Sequence, residues 1–207
     1  MTSGRAGARP GQASTRAVVV VDVQNDFVSG SLATATGADA ARRITPFIRD
    51  ARNGGETVIG TQDWHIDPAG HFAPEGQDPD YRETWPVHCL AGATGAEPHP
   101  ELDAGAIQEW FRKGEYTAAY SGFEGHAAED AEVRLEAWLR RRGIQQLAVV
   151  GIATDYCVKA TALDAARAGF DVTVLEDLCA PVSEEGGAQA LAEMAEAGIR
   201  IETSDRW

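Results

Sequence analysis

The strongest constraint on the fold is an uninterrupted run of valines close to the start of the chain. Residues 17–23 read Ala-Val-Val-Val-Val-Asp-Val, so four consecutive valines precede the first polar side chain. Unbroken β-branched runs are typical of strands that are buried on both faces, and such strands occur in parallel sheets. We therefore predict a parallel sheet with helices packed on both of its faces.

Strand-like and helix-like segments alternate along the rest of the chain. Strands that are separated in turn by helices imply right-handed crossovers and a helix-covered sheet. The predicted class is α/β, with three layers (α/β/α) and a mostly parallel sheet of roughly six strands. The predicted strands are residues 17–23, 57–61, 106–112, 147–151, 172–175 and 199–201, and the predicted helices are residues 38–52, 128–142, 154–168 and 183–197.

The length and composition of the chain indicate one globular domain. A chain of 207 residues suits a single hydrophobic core, and we predict one domain over residues 17–207. Residues 1–16 are rich in Gly, Ala, Ser and Arg and lack the apolar centre of a signal peptide. This composition predicts a flexible tail.

Charge and cysteine content exclude several classes of function. A formal net charge of −14 would repel phosphate backbones and anionic membrane surfaces, so we expect neither nucleic acid nor a membrane as a partner. No apolar run has the length of a membrane span. Three cysteines without CxxC spacing do not make a disulfide framework, which favours a reduced, cytoplasmic setting. The sequence leaves open whether the chain is a monomer or a homo-oligomer.

Five reactive side chains end or follow predicted strands, at the edge where open α/β sheets bind their ligands. The carboxyl ends of parallel strands meet at one edge of the sheet, so we expect these side chains to converge. The five residues are Asp22, Asp63, His65, Lys113 and Cys157.

Cys157 is the candidate nucleophile. It lies at a junction between a strand and a helix, where unpaired backbone N–H groups and the positive end of the helix dipole favour a thiolate. The same N–H groups can receive a developing oxyanion. A buried structural cysteine is the alternative, and it is the interpretation we prefer for Cys89 and Cys179.

Asp22 is the candidate base, and Lys113 is the cation that would steady it. An aspartate at the end of a valine strand is costly to bury unless it is paired. Taken alone, Asp22 could equally be a turn carboxylate, and Lys113 could be a solvated surface lysine. Taken together with Cys157, the three residues supply an acid, a base and a nucleophile, in which Asp22 would take the thiol proton.

Asp63, His65, His71 and His88 are candidate metal ligands. Asp63 and His65 are two residues apart, on the same side of an extended segment, and the other two histidines follow in the same long loop. One carboxylate with three imidazoles suits Zn, Fe, Mn or Ni. Polar loop residues without a metal are the alternative, but the spacing favours one divalent transition metal ion.

These residues lie in segments that resemble the bacterial nicotinamidase/pyrazinamidase family, which belongs to the isochorismatase-like (cysteine hydrolase) superfamily. The resemblance extends over nearly everything from Arg16 onward. The Asp and Cys segments occur across the superfamily, whereas the Asp-x-His, His, His set is what points to nicotinamidase. The matching segments are VDVQNDF at residues 21–27, Asp-Trp-His at 63–65 with His71, Trp-Pro-Val-His-Cys at 85–89, KGEYTAAYSGF at 113–123 and GIATDYCV at 151–158.

The resemblance implies a role for each matching residue. Tyr156 departs from the family, which often has histidine there, but the change removes no reactive group. The implied catalytic triad is Asp22, Lys113 and Cys157, and the implied metal ligands are Asp63, His65, His71 and His88. The substrate ring would be packed by Phe27, Trp85 and Tyr120. The resemblance also implies an oxyanion hole made by the N–H groups of Ala153 and Cys157, and a cis peptide bond before Ala153.

The implied function is hydrolysis of a small-molecule substrate, nicotinamide, to nicotinate and ammonia, as a step of NAD salvage. Pyrazinamide is a further expected substrate, a cysteine thioester is the expected intermediate, and a divalent metal is expected to hold the pyridine nitrogen. Zinc is our first expectation for that metal, and iron or manganese are the alternatives. Three rival hypotheses remain: an amidase of the same superfamily without the metal, a non-catalytic binding domain, and a simple zinc hydrolase in which Cys157 is dispensable.

Overall fold

Residues 14–207 are described by the computed structural model. The flexible tail predicted for residues 1–16 lies outside the described residues apart from residues 14–16, and Arg16 is already the first residue of β1. The strands are β1 (Arg16–Val21), β2 (Thr57–Asp63), β3 (Trp110–Lys113), β4 (His126–Ala127), β5 (Asp130–Arg134), β6 (Gln146–Ile152), β7 (Asp171–Ala180) and β8 (Arg200–Glu202). The helices are α1 (Asn25–Val28), α2 (Gly37–Asn53), α3 (Leu135–Arg141), α4 (Lys159–Arg167) and α5 (Glu184–Glu196).

The strands form one sheet in the order β5-β4-β3-β2-β1-β6-β7-β8. Six of them run parallel, and the short strands β4 and β5 extend one edge of the sheet in antiparallel pairing. The α/β class and the mostly parallel sheet are therefore confirmed. The described sheet has eight strands rather than roughly six, because β4 and β5 are too short and too polar to give a period in the sequence.

The valine side chains of β1 are buried on both faces of the sheet, as the composition of this strand predicts. Val18 and Val20 are buried in a core with Ile44 of α2. Val19 lies in the opposite core, which also contains Met194 of α5. Full burial of a valine side chain contributes about 1.5–3 kcal/mol, so the three layers are held together through β1. No helix among residues 14–207 is long and apolar enough to cross a membrane.

Two predicted elements near the sheet edge are wrong in part. Only Trp110–Lys113 of the strand predicted at residues 106–112 pairs with β2. The helix predicted at residues 128–142 is a strand, β5, followed by the short helix α3. In β5 all residues except Val133 are exposed, and charged residues alternate with small ones. Such a sequence is typical both of a helix surface and of an edge strand, and the antiparallel pairing with β4 decides the outcome.

The carboxyl ends of β1, β2, β3 and β6 lie side by side and position the functional residues. The strand order reverses between β1 and β6, which is the position where open α/β sheets bind ligands. Gly151 of β6 pairs with Val21 of β1, and a Cβ atom on Gly151 would lie 2.1 Å from the Val21 carbonyl oxygen. Only glycine therefore allows these two strand ends to approach so closely.

Candidate active site

The ammonium group of Lys113 is the centre of a buried polar cluster at this edge. Lys113 ends β3, and its Nζ lies 2.9 Å from Asp22 Oδ2 and 3.5 Å from Cys157 Sγ. It also forms an ion pair with Asp63 and donates to the Ala119 carbonyl at 3.3 Å. Strand ends that are far apart in sequence thus bring together the residues of the predicted catalytic triad.

Asp22 is held by the turn that follows β1. Its φ of 48° takes it out of the strand, and Thr61 Oγ1 donates to Asp22 Oδ1 at 2.6 Å. Within residues 14–207, the only group found near Asp22 Oδ2 at ion-pairing distance is the Lys113 ammonium. Burial raises the pKa of Asp22, and the Lys113 charge only partly opposes this effect. A carboxylate with a raised pKa is a stronger base than one in solvent.

Cys157 lies in a π-helical turn, Thr154–Val158, that leads from β6 into α4. Burial raises the pKa of the Cys157 thiol well above its ordinary value, although the nearby Lys113 ammonium acts in the opposite direction. The junction with the helix favours a thiolate, but burial acts against it, and the group rests as a protonated thiol. The thiol needs a base, and polar atoms of Asp22 and Cys157 lie within 4.8 Å of each other.

Ala153 connects β6 to this turn and contributes to the same site. The peptide bond between Ile152 and Ala153 is cis, as the resemblance implied. Ala153 and Cys157 both line the cavity in front of the thiol. The use of their N–H groups as an oxyanion hole stays a prediction.

The cavity next to Cys157 has a volume of about 240 Å³. Phe27, Trp85 and Tyr120, which were predicted to pack the substrate ring, all line it. Trp85 Nε1 donates to the Tyr120 hydroxyl at 3.0 Å, so these two walls are fixed to each other. The cavity can therefore hold a flat ring between aromatic side chains, with Cys157 as part of its lining.

Several cavity residues were missed by the sequence reasoning. Tyr156 stands edge-on to Trp85 with a centroid distance of 5.0 Å, and the exposed Tyr81 stands edge-on to Trp85 at 6.1 Å. Residues 31–34 and Val182 complete the rim. Tyr156 could have been found from its place beside Cys157. The others lie in irregular loops, and their spacing carries no signal.

Three imidazoles form a second cluster beside the first one. The side chains of His65, His71 and His88 are buried, and one nitrogen of each lies within 4.8 Å of those of the others. His65 Nδ1 lies 2.6 Å from the Gly114 carbonyl oxygen, and His88 Nδ1 lies 2.8 Å from the Pro86 carbonyl oxygen. These carbonyls require a proton on Nδ1, which leaves both Nε2 atoms free to act as ligands.

The donor set fits a divalent transition metal ion. The Nε2 atoms of His65 and His88 lie 3.7 and 3.8 Å from Asp63 Oδ2. His71 Nδ1 is buried, and no hydrogen-bond partner for it exists among the described residues. Burial and the neighbouring imidazoles lower the pKa of His71 to about 4, so the ring is neutral at pH 7, the form that binds metals. Converging imidazoles with one carboxylate suit such a metal.

The three oxygen and sulfur groups around Lys113 are not a second metal site. Asp22, Asp63 and Cys157 lie close enough together to bind an ion. However, the Lys113 ammonium already lies within bonding distance of each of them and supplies the positive charge. Asp63 therefore joins the two clusters, with one oxygen towards Lys113 and the other towards the histidines.

The histidine cluster leads to a prediction about metal content. Elemental analysis of purified protein is expected to find about one divalent transition metal ion per chain, since three or four protein ligands bind a single ion. His71→Ala removes one buried ligand and is expected to lower the metal content sharply. His126→Ala is the matched control, because His126 lies 3.3 Å from Glu115 and outside the cluster. Metal-free active protein, or equal loss in both variants, would contradict the site.

Comparison with known proteins agrees with this geometry. The model of the isochorismatase domain family matches residues 16–206. The chain belongs to the isochorismatase family. Within that family it is 48% identical to the nicotinamidase/pyrazinamidase of Mycobacterium tuberculosis over 187 residues, which cover 90% of this chain and 97% of the relative. The predicted resemblance is therefore confirmed.

Two solved structures of the isochorismatase fold are similar over almost the whole chain. The pyrazinamidase of Pyrococcus horikoshii in complex with zinc is 34% identical, with a TM-score of 0.77, and the match covers 92% of this chain and 99% of that one. The yeast nicotinamidase bound to the inhibitor nicotinaldehyde is 27% identical, with a TM-score of 0.76, and the match covers 91% of this chain and 99% of that one.

Proposed function

We propose that this chain is a nicotinamidase, which hydrolyses nicotinamide to nicotinate and ammonia and also accepts pyrazinamide. The observation that carries this proposal is that the Lys113 cluster and the histidine cluster share Asp63 and open on one aromatic cavity. The Cys157 thiol with Asp22 as its base suits an amide group, and the histidine cluster with a bound metal suits a ring nitrogen. Together they match an aromatic amide with a nitrogen in its ring. The names of the similar proteins support this substrate.

The aromatic walls bind and orient the ring in the proposed complex. Phe27 and Trp85 face the ring, and Tyr120 holds Trp85 in place through its hydroxyl group. Asp63, His65, His71 and His88 would hold the metal, which we propose to be zinc, with iron or manganese as alternatives. When bound, such an ion would supply a Lewis acid that binds the pyridine nitrogen.

The proposed reaction then proceeds in two stages at Cys157. Asp22 takes the thiol proton, the sulfur attacks the amide carbon, and the N–H groups of Ala153 and Cys157 stabilise the oxyanion. The C–N bond breaks, and Asp22 returns the proton to the departing ammonia. Asp22 next activates a water molecule that hydrolyses the thioester, which releases nicotinate and restores the thiol. Lys113 keeps its charge throughout and stabilises the ionised form of Asp22.

Competing hypotheses are less well supported by the described residues. A superfamily amidase without a metal would have no need of three buried imidazoles that converge. A simple zinc hydrolase would have no need of a thiol beside Asp22 and Lys113, and a binding domain would need neither cluster. Free cysteines at positions 89, 157 and 179 fit the reducing cytoplasm that we propose as the location.

The ranking of substrates tests this proposal. We expect kcat/KM for nicotinamide and pyrazinamide to exceed that for benzamide by up to about 10⁴-fold, because a site built around a polar contact rejects an analogue that lacks it. Benzamide has the same shape and the same amide but no ring nitrogen. A purely apolar pocket would discriminate by only about 10–200-fold. Comparable kcat/KM values for nicotinamide and benzamide would contradict a metal that holds the ring.

A further inference from the structure

Gln24 is a fully buried polar residue just after β1, and its side chain is bonded to the backbone of Asp63. Gln24 Oε1 accepts from the Asp63 N–H at 2.9 Å, and Gln24 Nε2 donates to the Asp63 carbonyl at 2.8 Å. The same Nε2 donates to the Ala96 carbonyl at 2.8 Å. One side chain thus satisfies both backbone polar groups of Asp63.

The register of the sheet explains why the Gln24 side chain bonds to the backbone of Asp63. The pairing of β1 with β2 ends at Val20 and Gly60, and beyond it the Asp22 N–H still donates to the Thr61 carbonyl at 3.3 Å, so Asp63 lies two residues past the last of these backbone contacts. Asp63 pairs with Lys113 of β3 on its other side. The Gln24 amide occupies the place of the missing strand and bonds as a strand residue would. Without it, the Asp63 N–H and carbonyl would lose these two bonds in a buried position, which is unfavourable.

Both the Lys113 cluster and the histidine cluster depend on the position of Asp63. Its carboxylate lies between the Lys113 ammonium and the Nε2 atoms of His65 and His88. The backbone N–H of Gln24 also donates to the Asp22 carbonyl at 2.8 Å. Gln24 is therefore bonded to the residue that carries the proposed base and to the residue that joins the two clusters.

We propose that Gln24 is a positioning residue that sets the Asp63 carboxylate for metal binding and for its ion pair with Lys113. The inference rests on the proposed function, because it assumes that Asp63 ligates a metal. Gln24 is neither part of the cavity lining nor one of the proposed ligands, and the only residue of the two clusters that its side chain bonds is Asp63. Partners of this kind usually change metal affinity by about 10–100-fold when they are removed.

The test compares Gln24→Met with Gln62→Met. Methionine keeps the size of glutamine but makes none of its hydrogen bonds. Gln62 is the matched control, because it is buried and also donates to the Ala96 carbonyl, at 3.1 Å, but is not bonded to Asp63 through its side chain. The Zn²⁺ dissociation constant of each purified full-length variant is measured by competition with a chelator, and kcat and KM for nicotinamide are measured on zinc-loaded protein.

We expect Gln24→Met to weaken Zn²⁺ binding by about 10–100-fold and to lower kcat more than it raises KM, whereas Gln62→Met stays close to the wild type in zinc affinity. Equal zinc affinity of the two variants would overturn the proposal. If Gln24→Met does not fold, Gln24→Glu keeps the acceptor for the Asp63 N–H and loses the amide donors. It is then expected to weaken Zn²⁺ binding relative to Gln62→Met, and wild-type affinity would overturn the proposal. Wild-type protein that binds no zinc would instead contradict the proposed function itself.

Discussion

Replacement of Cys157 with alanine is expected to leave a folded, metal-loaded protein that no longer hydrolyses nicotinamide. The Cys157 thiol lies beside Asp22 and Lys113 in the lining of the cavity, and covalent catalysis through this sulfur has no substitute once it is removed. We expect kcat to fall by at least about 10⁴-fold, as removal of a principal catalytic group does in other covalent hydrolases. The variant should keep its far-UV circular dichroism and its metal content.

Cys179→Ala provides the matched control for this variant. Cys179 is as buried as Cys157 and is the penultimate residue of β7, the strand next to β6, but its Sγ lies 3.3 Å from the Leu175 carbonyl oxygen and Cys179 does not line the cavity. Burial raises the pKa of Cys179 to about 12, and unlike Cys157 this residue is not part of the cavity lining. The control should keep its activity. A Cys157→Ala variant that retained a tenth of the wild-type kcat would show that the cysteine mechanism is wrong.

Asp22→Asn is expected to have the second largest effect. Asparagine keeps the shape of the side chain and can still accept the Thr61 hydrogen bond, but it cannot take the thiol proton. Burial holds Cys157 in the protonated form, so deprotonation depends on this base. Loss of a general base lowers rates by about 10²–10⁴-fold, and we expect kcat/KM to fall within that range.

The control for the aspartate variant is Asp177→Asn. Asp177 accepts hydrogen bonds from Ser204 N and Ser204 Oγ at 2.8 and 2.7 Å and does not line the cavity, so its substitution should leave kcat/KM unchanged. Zinc binding should also survive in Asp22→Asn, because Asp22 is not among the proposed ligands. A kcat/KM within tenfold of the wild type would assign the proton transfer to another group.

The sequence was sufficient to predict which residues meet at the site, because strand ends in a parallel sheet share one edge. The valine run predicted β1, and the apolar segments that begin at Thr57 and Leu147 predicted the two strands that pair with it, β2 and β6. Asp22, Lys113 and Cys157 could then be assigned to one edge from their places after the strands. The cluster around Lys113 follows from this topology alone.

Contacts that depend on irregular segments could not be predicted in the same way. Gln24 and Asp63 are 39 residues apart, and their bonds depend on where β1 stops pairing. The rim residue Tyr81 has a φ of 55° in a loop without period. The strand β5 was mistaken for part of a helix, since its pairing with β4 is decided by tertiary contacts rather than by its own residues.

The protonation state of Cys157 also required the structure. A thiol at the start of a helix is expected to ionise readily, and the sequence contains no opposing signal. Burial and the nearby carboxylates of Asp22 and Asp63 reverse that expectation. Such effects depend on the surroundings in space, which spacing along the chain does not report.

The release of ammonia and nicotinate from nicotinamide by the purified wild-type protein tests the central claim most directly. Both products are measured over time, by a coupled ammonia assay and by chromatography, with Cys157→Ala as the blank. We predict equal amounts of ammonia and nicotinate from the wild type and no release above background from the blank. Zinc-loaded wild-type protein that releases neither product, or a blank that releases both at the wild-type rate, would contradict the account.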